Sequence, residues 1–498
     1  MRNQTISRTW LALTLTLALW PRASQAQEAA PGATQPAAEA PAEPAQLAQA
    51  TPATEPPAAE RATAAPAPAD APAVPEPTAE ATEAEATDAN SEAETYADPA
   101  VAPTAAPAKP SGDHDVDNSK TRFRPGKGLH VESADGDFAL ATRLRAQFLY
   151  TTEKTDQWQQ SFQIRRARLQ FGGHVFGKNN KFKAEFAVSP RDMGMRDRPD
   201  AEAEPKTSPL LDWYLDFTQL RDLSLRVGQY KIPHNRQRVV SSGNLRLVDR
   251  SIVNSEFTLD RDLGFDLRSK DLFGLGFLRY YAGIYVGEGR NRNTMDDFGM
   301  LYLARVEVLP MGDFKDYSEG DHARTPEPKL SIGLGYAHLE NGKKDRGVLG
   351  TRPADGGVTD FDSLTADVVF RLMGFSFETE FMYRDGKRQP GNAVDPATMM
   401  PFPVSGPRNG YGIMGQAGYL LPDLDLEVVA RVGANRQAGD ESVLDEQTEL
   451  GGGVNYYFAE HPLKLQLDYF HLTERAGDDP DADWESEDRI RLQLQAAF

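Results

Sequence analysis

The chain contains no cysteine, so no disulfide contributes to its fold, which suits a bacterial envelope protein that needs none. It is also short of long apolar runs. The longest, "LALTLTLALW" at residues 11–20, falls well below the roughly 20 residues that a spanning helix requires, which argues against an inner-membrane protein. Histidine is scarce, with eight in the chain. His174, His234 and His471 stand far apart in sequence with no catalytic motif around them. A nucleophile, a base and an orienting group converging on one site are therefore not foreseen. Neither enzyme activity nor a cofactor or metal is expected. Excess positive charge is missing too: the formal net charge is -20, which excludes the basic domain that nucleic-acid binding favours.

The N-terminus reads as a secretory signal over residues 1–26. Arg2 and Arg8 form its basic region, residues 11–20 its apolar stretch, and "SQA" at 24–26 a small-residue cleavage site. From 27 to 120 the chain is mostly Ala, Pro, Glu and Thr, with 17 acidic and 3 basic residues. So few large apolar groups cannot offset the entropy of ordering, and a disordered acidic linker is expected. Removing the linker's 14 negative charges and the signal's three positive ones from the total leaves -9 for residues 121–498.

Beyond residue 120 the dominant signal has period two. In "FALATRLRAQFLY" (138–150), Phe138, Leu140, Leu144, Ala146, Phe148 and Tyr150 share one face, against Arg143, Arg145 and Gln147. "LDLEVVARV" (424–432) and "RIRLQLQAAF" (489–498) alternate in the same way. About 16 such segments follow one another, with short turns alternating with longer polar connections. That pattern predicts an all-β fold, a 16-stranded antiparallel transmembrane β-barrel behind the linker, with short periplasmic turns and long external loops. A soluble sandwich would bury its apolar face. Here the polar face carries charged groups that are costly in a core but suit a wet lumen. Aromatic clusters at segment ends, such as "NYYF" (455–458) and terminal Phe498, suit interfacial girdles.

Parity assigns basic lumen positions to Arg143, Arg145, Arg168, Lys181, Lys183, Arg226 and Arg268, concentrated in the first half of the barrel. Asp212, Asp216, Asp266, Glu307, Glu378 and Glu380 take the same face, and many of these charges should simply pair across strands. One segment breaks the rule. In "FQIRRARLQF" (162–171), Phe162 and Ile164 have one parity, whereas Ala167, Leu169 and Phe171 have the other. The slip falls on Arg165 and Arg166. A regular strand would send one of them into lipid, at about 2–4 kcal/mol near the midplane. A β-bulge turns both inward, where two guanidiniums form a fork for oxyanions. A location at the membrane rim would leave the slip without that meaning. A second irregular stretch, 228–264, lacks alternation and is rich in arginine. An inward fold that narrows the pore is a physically sensible use for it, with an ordinary external loop, less often this basic, as the alternative.

The ordered set "RRARLQFGG" (165–173), "LRVGQYKIP" (225–233), "LVDRSIVN" (247–254), "RDLG" (261–264), "VNYYFAEHPLKLQLDY" (454–469) and terminal Phe498 resembles the phosphate-selective porin O and P family over residues 122–498. The resemblance implies a trimeric porin of the Gram-negative outer membrane, with its linker in the periplasm. It also places Arg165, Arg166, Arg238 and Arg250 on anion-contacting constriction positions. The family's further arginine-dense loop is matched here only by Lys343, Lys344, Arg346 and Arg352. Passive uptake of small anions, phosphate or polyphosphate among them, is therefore expected rather than strict phosphate specificity. Expected partners are the anions, the membrane lipids and two further copies of the chain. A weakly selective pore and a plugged barrel serving as a tether or adhesin are the alternatives.

Overall fold

The computed structural model describes residues 121–193, 208–292, 299–479 and 481–498. The expected signal and linker lie outside these residues. A short hairpin, β1 (Arg122–Arg124) and β2 (Gly128–Glu132), precedes the wall. The wall starts with β3 (Ala139–Lys154), β4 (Trp158–His174), β5 (Asn180–Ala187) and β6 (Leu210–Phe217). It continues through β7 (Ser224–Lys231), β8 (Arg261–Ser269), β9 (Leu278–Tyr285) and β10 (Leu301–Val308). Next come β11 (Lys329–Gly342), β12 (Val358–Leu372), β13 (Phe375–Gln389) and β14 (Gly410–Leu420). The last four are β15 (Leu426–Gln437), β16 (Glu446–Ala459), β17 (Leu463–Arg475) and β18 (Glu485–Ala497).

Each wall strand pairs antiparallel with its sequence neighbours, and β18 returns to β3, with Asp488 opposite Lys154 and Ala497 opposite Arg145. Sixteen strands thus close a barrel, and each predicted segment coincides with one of them. Closure leaves no open edge in the wall, as a bilayer demands. Phe498 completes the seam by exchanging backbone hydrogen bonds of 2.7 and 2.9 Å with Leu144. Below it, β2 covers the start of β3, pairing Leu129 with Thr142 and Glu132 with Ala139.

Polarity is inverted relative to a soluble protein. On β18, Leu492 and Leu494 are exposed while Arg491, Gln493 and Gln495 are buried. On β15, Val428 and Val432 face out while Glu427 and Arg431 face in. Outward aromatics such as Tyr456, Phe458, Tyr469 and Phe498 are exposed, in keeping with interfacial girdles.

What fills the interior is chain from both ends. Residues 232–260, between β7 and β8, fold inward. Arg145 donates to the Ser241 and Ser242 hydroxyls at 3.0 Å, and the Val248 amide donates to Asp468 at 3.0 Å. A short helix, Ile252–Phe257, starts at Ser251, whose hydroxyl accepts from the Asn254 amide. The opposite end departs from the expected pattern of short turns. Residues 309–328 form a long connection there, with Asp316, Ser318, Glu319 and Asp321 buried. Glu319 accepts the Arg246 amide at 2.8 Å, and its own amide donates to Asn244. The segment carries the polar groups to satisfy the inward loop from below, so it packs inside instead of closing a hairpin. The converse departure is the β3–β4 connection at 155–157, which is short although it lies at the loop end.

Candidate functional site

The irregularity in "FQIRRARLQF" is a bulge. Gln147 of β3 stands opposite Arg166 and Phe148 opposite Ile164, leaving Arg165 as the extra residue. Phe162 and Ile164 remain exposed on the outer face, and both arginines turn inward. Each donates from Nη2 to Oδ1 of Asp249 at 2.9 Å. Asp249 belongs to the inward loop, so the bulge also anchors that loop. Arg491 approaches the other oxygen, Oδ2, at 3.2 Å while gripping Asp468 through Nε and Nη2 at 2.8 and 2.9 Å. Burial would raise the Asp249 carboxyl, but Arg165, Arg166 and Arg491 outweigh it and hold it well below the usual carboxylate range.

These groups border a cavity of about 380 Å³. Its described lining contains eight arginines: Arg165, Arg166, Arg238, Arg250, Arg346, Arg431, Arg489 and Arg491. Only two carboxylates, Asp249 and Glu449, share the lining. The four residues singled out from the sequence, two on β4 and two at separate points of the inward loop, therefore meet in one place.

Their surroundings differ. Arg238 is held by Asp260, its Nε at 2.6 Å from Oδ1. Arg431 pairs with Glu449 at 3.2 Å and donates to the Asp249 carbonyl at 2.9 Å. Arg250 makes no ion pair among the described residues. Its Nε and Nη2 donate to the backbone carbonyls of Gln237 and Val240 at 2.7 and 2.6 Å. Burial, followed by repulsion from Arg238 and Arg166, lowers the affinity of its guanidinium for the proton. An anion placed beside Arg250 would supply the countercharge that the wall lacks.

The other predicted lumen residues do not join this cavity. Arg168 pairs with Glu185 and Asp192 at 2.8 and 2.5 Å, and Lys183 with Glu185 and Asp212 at 3.1 and 3.3 Å. Arg226 pairs with Asp216, and Arg268 with Asp266, each at 2.6 Å. These four are neutralised by carboxylates of the wall and of the connection after β5. Arg145 anchors the inward loop, while Arg143 and Lys181 occupy the inward row without lining the cavity. The sparse basic loop is also engaged: Lys343 and Arg352 lie 3.1 and 3.6 Å from Glu288, and Arg346 lies 3.9 Å from Glu256.

The expectation that basic lumen groups concentrate in the first half needs correcting. Arg431, Arg489 and Arg491 belong to β15 and β18. Their inward parity was visible in the sequence, but their meeting with Arg165 and Arg166 depends on barrel closure bringing the last strands beside the first.

Residues 138–317 match the family described as Phosphate-selective porin O and P. An uncharacterized protein of Aquifex aeolicus (strain VF5) is 27% identical over 197 residues, or 35% of this chain and 47% of that protein. The match thus spans about half the length of that relative. Among solved structures, the anion-selective porin from Comamonas acidovorans shares 13% identity at a TM-score of 0.47, covering 72% of this chain and 100% of its own. OmpTdeltaL8, a loop-deletion mutant of the Vibrio cholerae outer membrane protein OmpT, shares 11% at 0.47, covering 72% and 99%.

Proposed function

We propose that this chain, an outer-membrane porin whose residues 138–317 are those of the phosphate-selective porin O and P family, passes small anions by passive diffusion. The observation that carries this reading is the excess of arginine around the cavity, with Arg250 lacking a carboxylate partner among the described residues. Selectivity in a channel depends on the local field at its narrow part rather than on total charge. A net charge of -20 is therefore no obstacle. Family and fold point to a channel rather than an enzyme. Inorganic phosphate and polyphosphate are candidate solutes that the guanidinium set can attract.

The working form in this reading is a homotrimer embedded in outer-membrane lipid. Residues 1–26 serve as the signal in this reading, and the acidic linker 27–120 belongs to the periplasm. The test is reconstitution of the purified chain in planar bilayers, with phosphate titrated into a chloride solution. Chloride current that phosphate reduces in a saturable way supports the proposal. Absence of current contradicts the channel and favours a plugged barrel.

A further inference from the structure

The cavity that gathers the arginines is not uniformly polar. Phe470 and Leu472 occupy the inward parity of β17, following Lys464, Gln466 and Asp468, a face that channels keep polar. Docking of the inward loop accounts for Phe470. It packs with Leu247 and Val429 and lies under the guanidiniums of Arg431 and Arg491, 4.7 and 5.5 Å from its ring centre.

Leu472, Ile252 and Leu349 are different. Each is rooted in a separate buried cluster, with Phe470, with Val253 and Phe257, and with Leu339 and Phe361 respectively. None is fully covered, and all three line the arginine cavity. A strand, a helix and a loop thus each bring an aliphatic edge to one place.

The charges there also favour an ion of low valence. Asp249 and Glu449 already satisfy several of the arginines, and both would repel a dianion. Hydrated phosphate needs donors around four oxygens and would meet alkyl groups on one side. An organic carboxylate offers two oxygens to a guanidinium fork and an apolar body that gains from leaving water. A volume of about 380 Å³ falls within the range for small organic ligands, about 300–1,000 Å³.

We infer that the cavity takes small organic monocarboxylates, an ionised carboxyl on an alkyl or aryl body, in preference to inorganic phosphate. This rests on the anion-channel reading and names the solute class of the same site. The test uses the full chain in planar bilayers at neutral pH. A potassium chloride gradient first establishes the sign of selectivity. Block of the chloride current is then compared for acetate, butyrate, hexanoate, benzoate and phosphate. Hexanoate and benzoate should block at concentrations about tenfold lower than acetate or phosphate. Leu472→Ser combined with Ile252→Ser should narrow the gap between hexanoate and acetate to about twofold. Block independent of chain length, or tighter block by phosphate than by hexanoate, overturns the inference while leaving anion selectivity intact. A cation-favouring gradient potential instead overturns the reading beneath it. The chain-length series in the unsubstituted protein decides the matter even if the double variant does not fold.

Discussion

Arg165 has no residue opposite it on β3, yet its Nη2 lies 2.9 Å from Oδ1 of Asp249. One unpaired position in the wall thus becomes a strut between the barrel and the loop folded inside it. If Arg165 is the inserted residue, deleting it brings Ile164 and Arg166 into continuous register with Phe148 and Gln147. The deletion variant should still form a heat-modifiable barrel, read as a mobility shift of unheated samples on a gel. Its anion preference should fall. Failure to recover any folded barrel would contradict the assignment of the bulge.

Asp249→Asn removes the carboxylate shared by three arginines. Breaking a buried ion pair by removing one partner costs about 3–5 kcal/mol, here concentrated where loop 232–260 is anchored. The variant should show faster limited proteolysis within that loop. Its current should also be more anion-selective, because one negative charge has left the cavity. Unchanged proteolysis would mean that the loop's other contacts, such as Arg145 with Ser241 and Ser242, hold it without the Asp249 carboxylate.

Much of this was legible in the sequence, for identifiable reasons. Period-two alternation located all sixteen wall strands because lipid on one side and water on the other impose the pattern on every strand. The slip at Arg165 and Arg166 revealed the bulge because a bilayer makes a misdirected arginine costly. What stayed hidden were contacts created by closure and by inserted chain. Nothing local to "RIRLQLQAAF" tells that Arg491 reaches Asp249, a residue 242 positions away. Residues 309–328 look like a polar connection, and their partners, Arg236, Asn244 and Arg246 of the inward loop with Arg279 and Arg371 of the wall, explain why they pack inside. Phe470 follows Tyr469 in an aromatic pair at the strand end, and its opposite parity points it inward.

That inserted connection should limit conductance. Replacing residues 312–324 with a short Gly/Ser turn removes Asp316 and Glu319, which hold Arg236 at 2.6 Å and the Arg246 amide at 2.8 Å. Single-channel conductance should rise, with the folded barrel retained. Equal conductance would place the limiting section elsewhere.

The pH response follows from the groups present. No histidine is among the described residues lining the cavity. The Asp249 carboxyl is held well below its ordinary value, so it stays ionised as pH falls toward the unfolded value of about 3.9. Its stabilising contribution is fully present above that value and is lost as pH falls further, through the folded value. Selectivity should therefore be flat between about pH 5 and 8. A reversal potential that changes steeply between pH 6 and 7 would contradict this.

The most direct measurement is the reversal potential of the purified chain across a potassium chloride gradient, for the unsubstituted protein and for Arg250→Ala. One unit charge about 5 Å from a permeating ion, even with water's dielectric constant, is worth about 0.8 kcal/mol, or roughly fourfold in relative permeability. The account predicts an anion-selective potential that shifts toward zero in the variant, with the anion-to-cation permeability ratio falling by about that factor. A cation-selective potential in the unsubstituted protein, or an identical potential in the two, would contradict it.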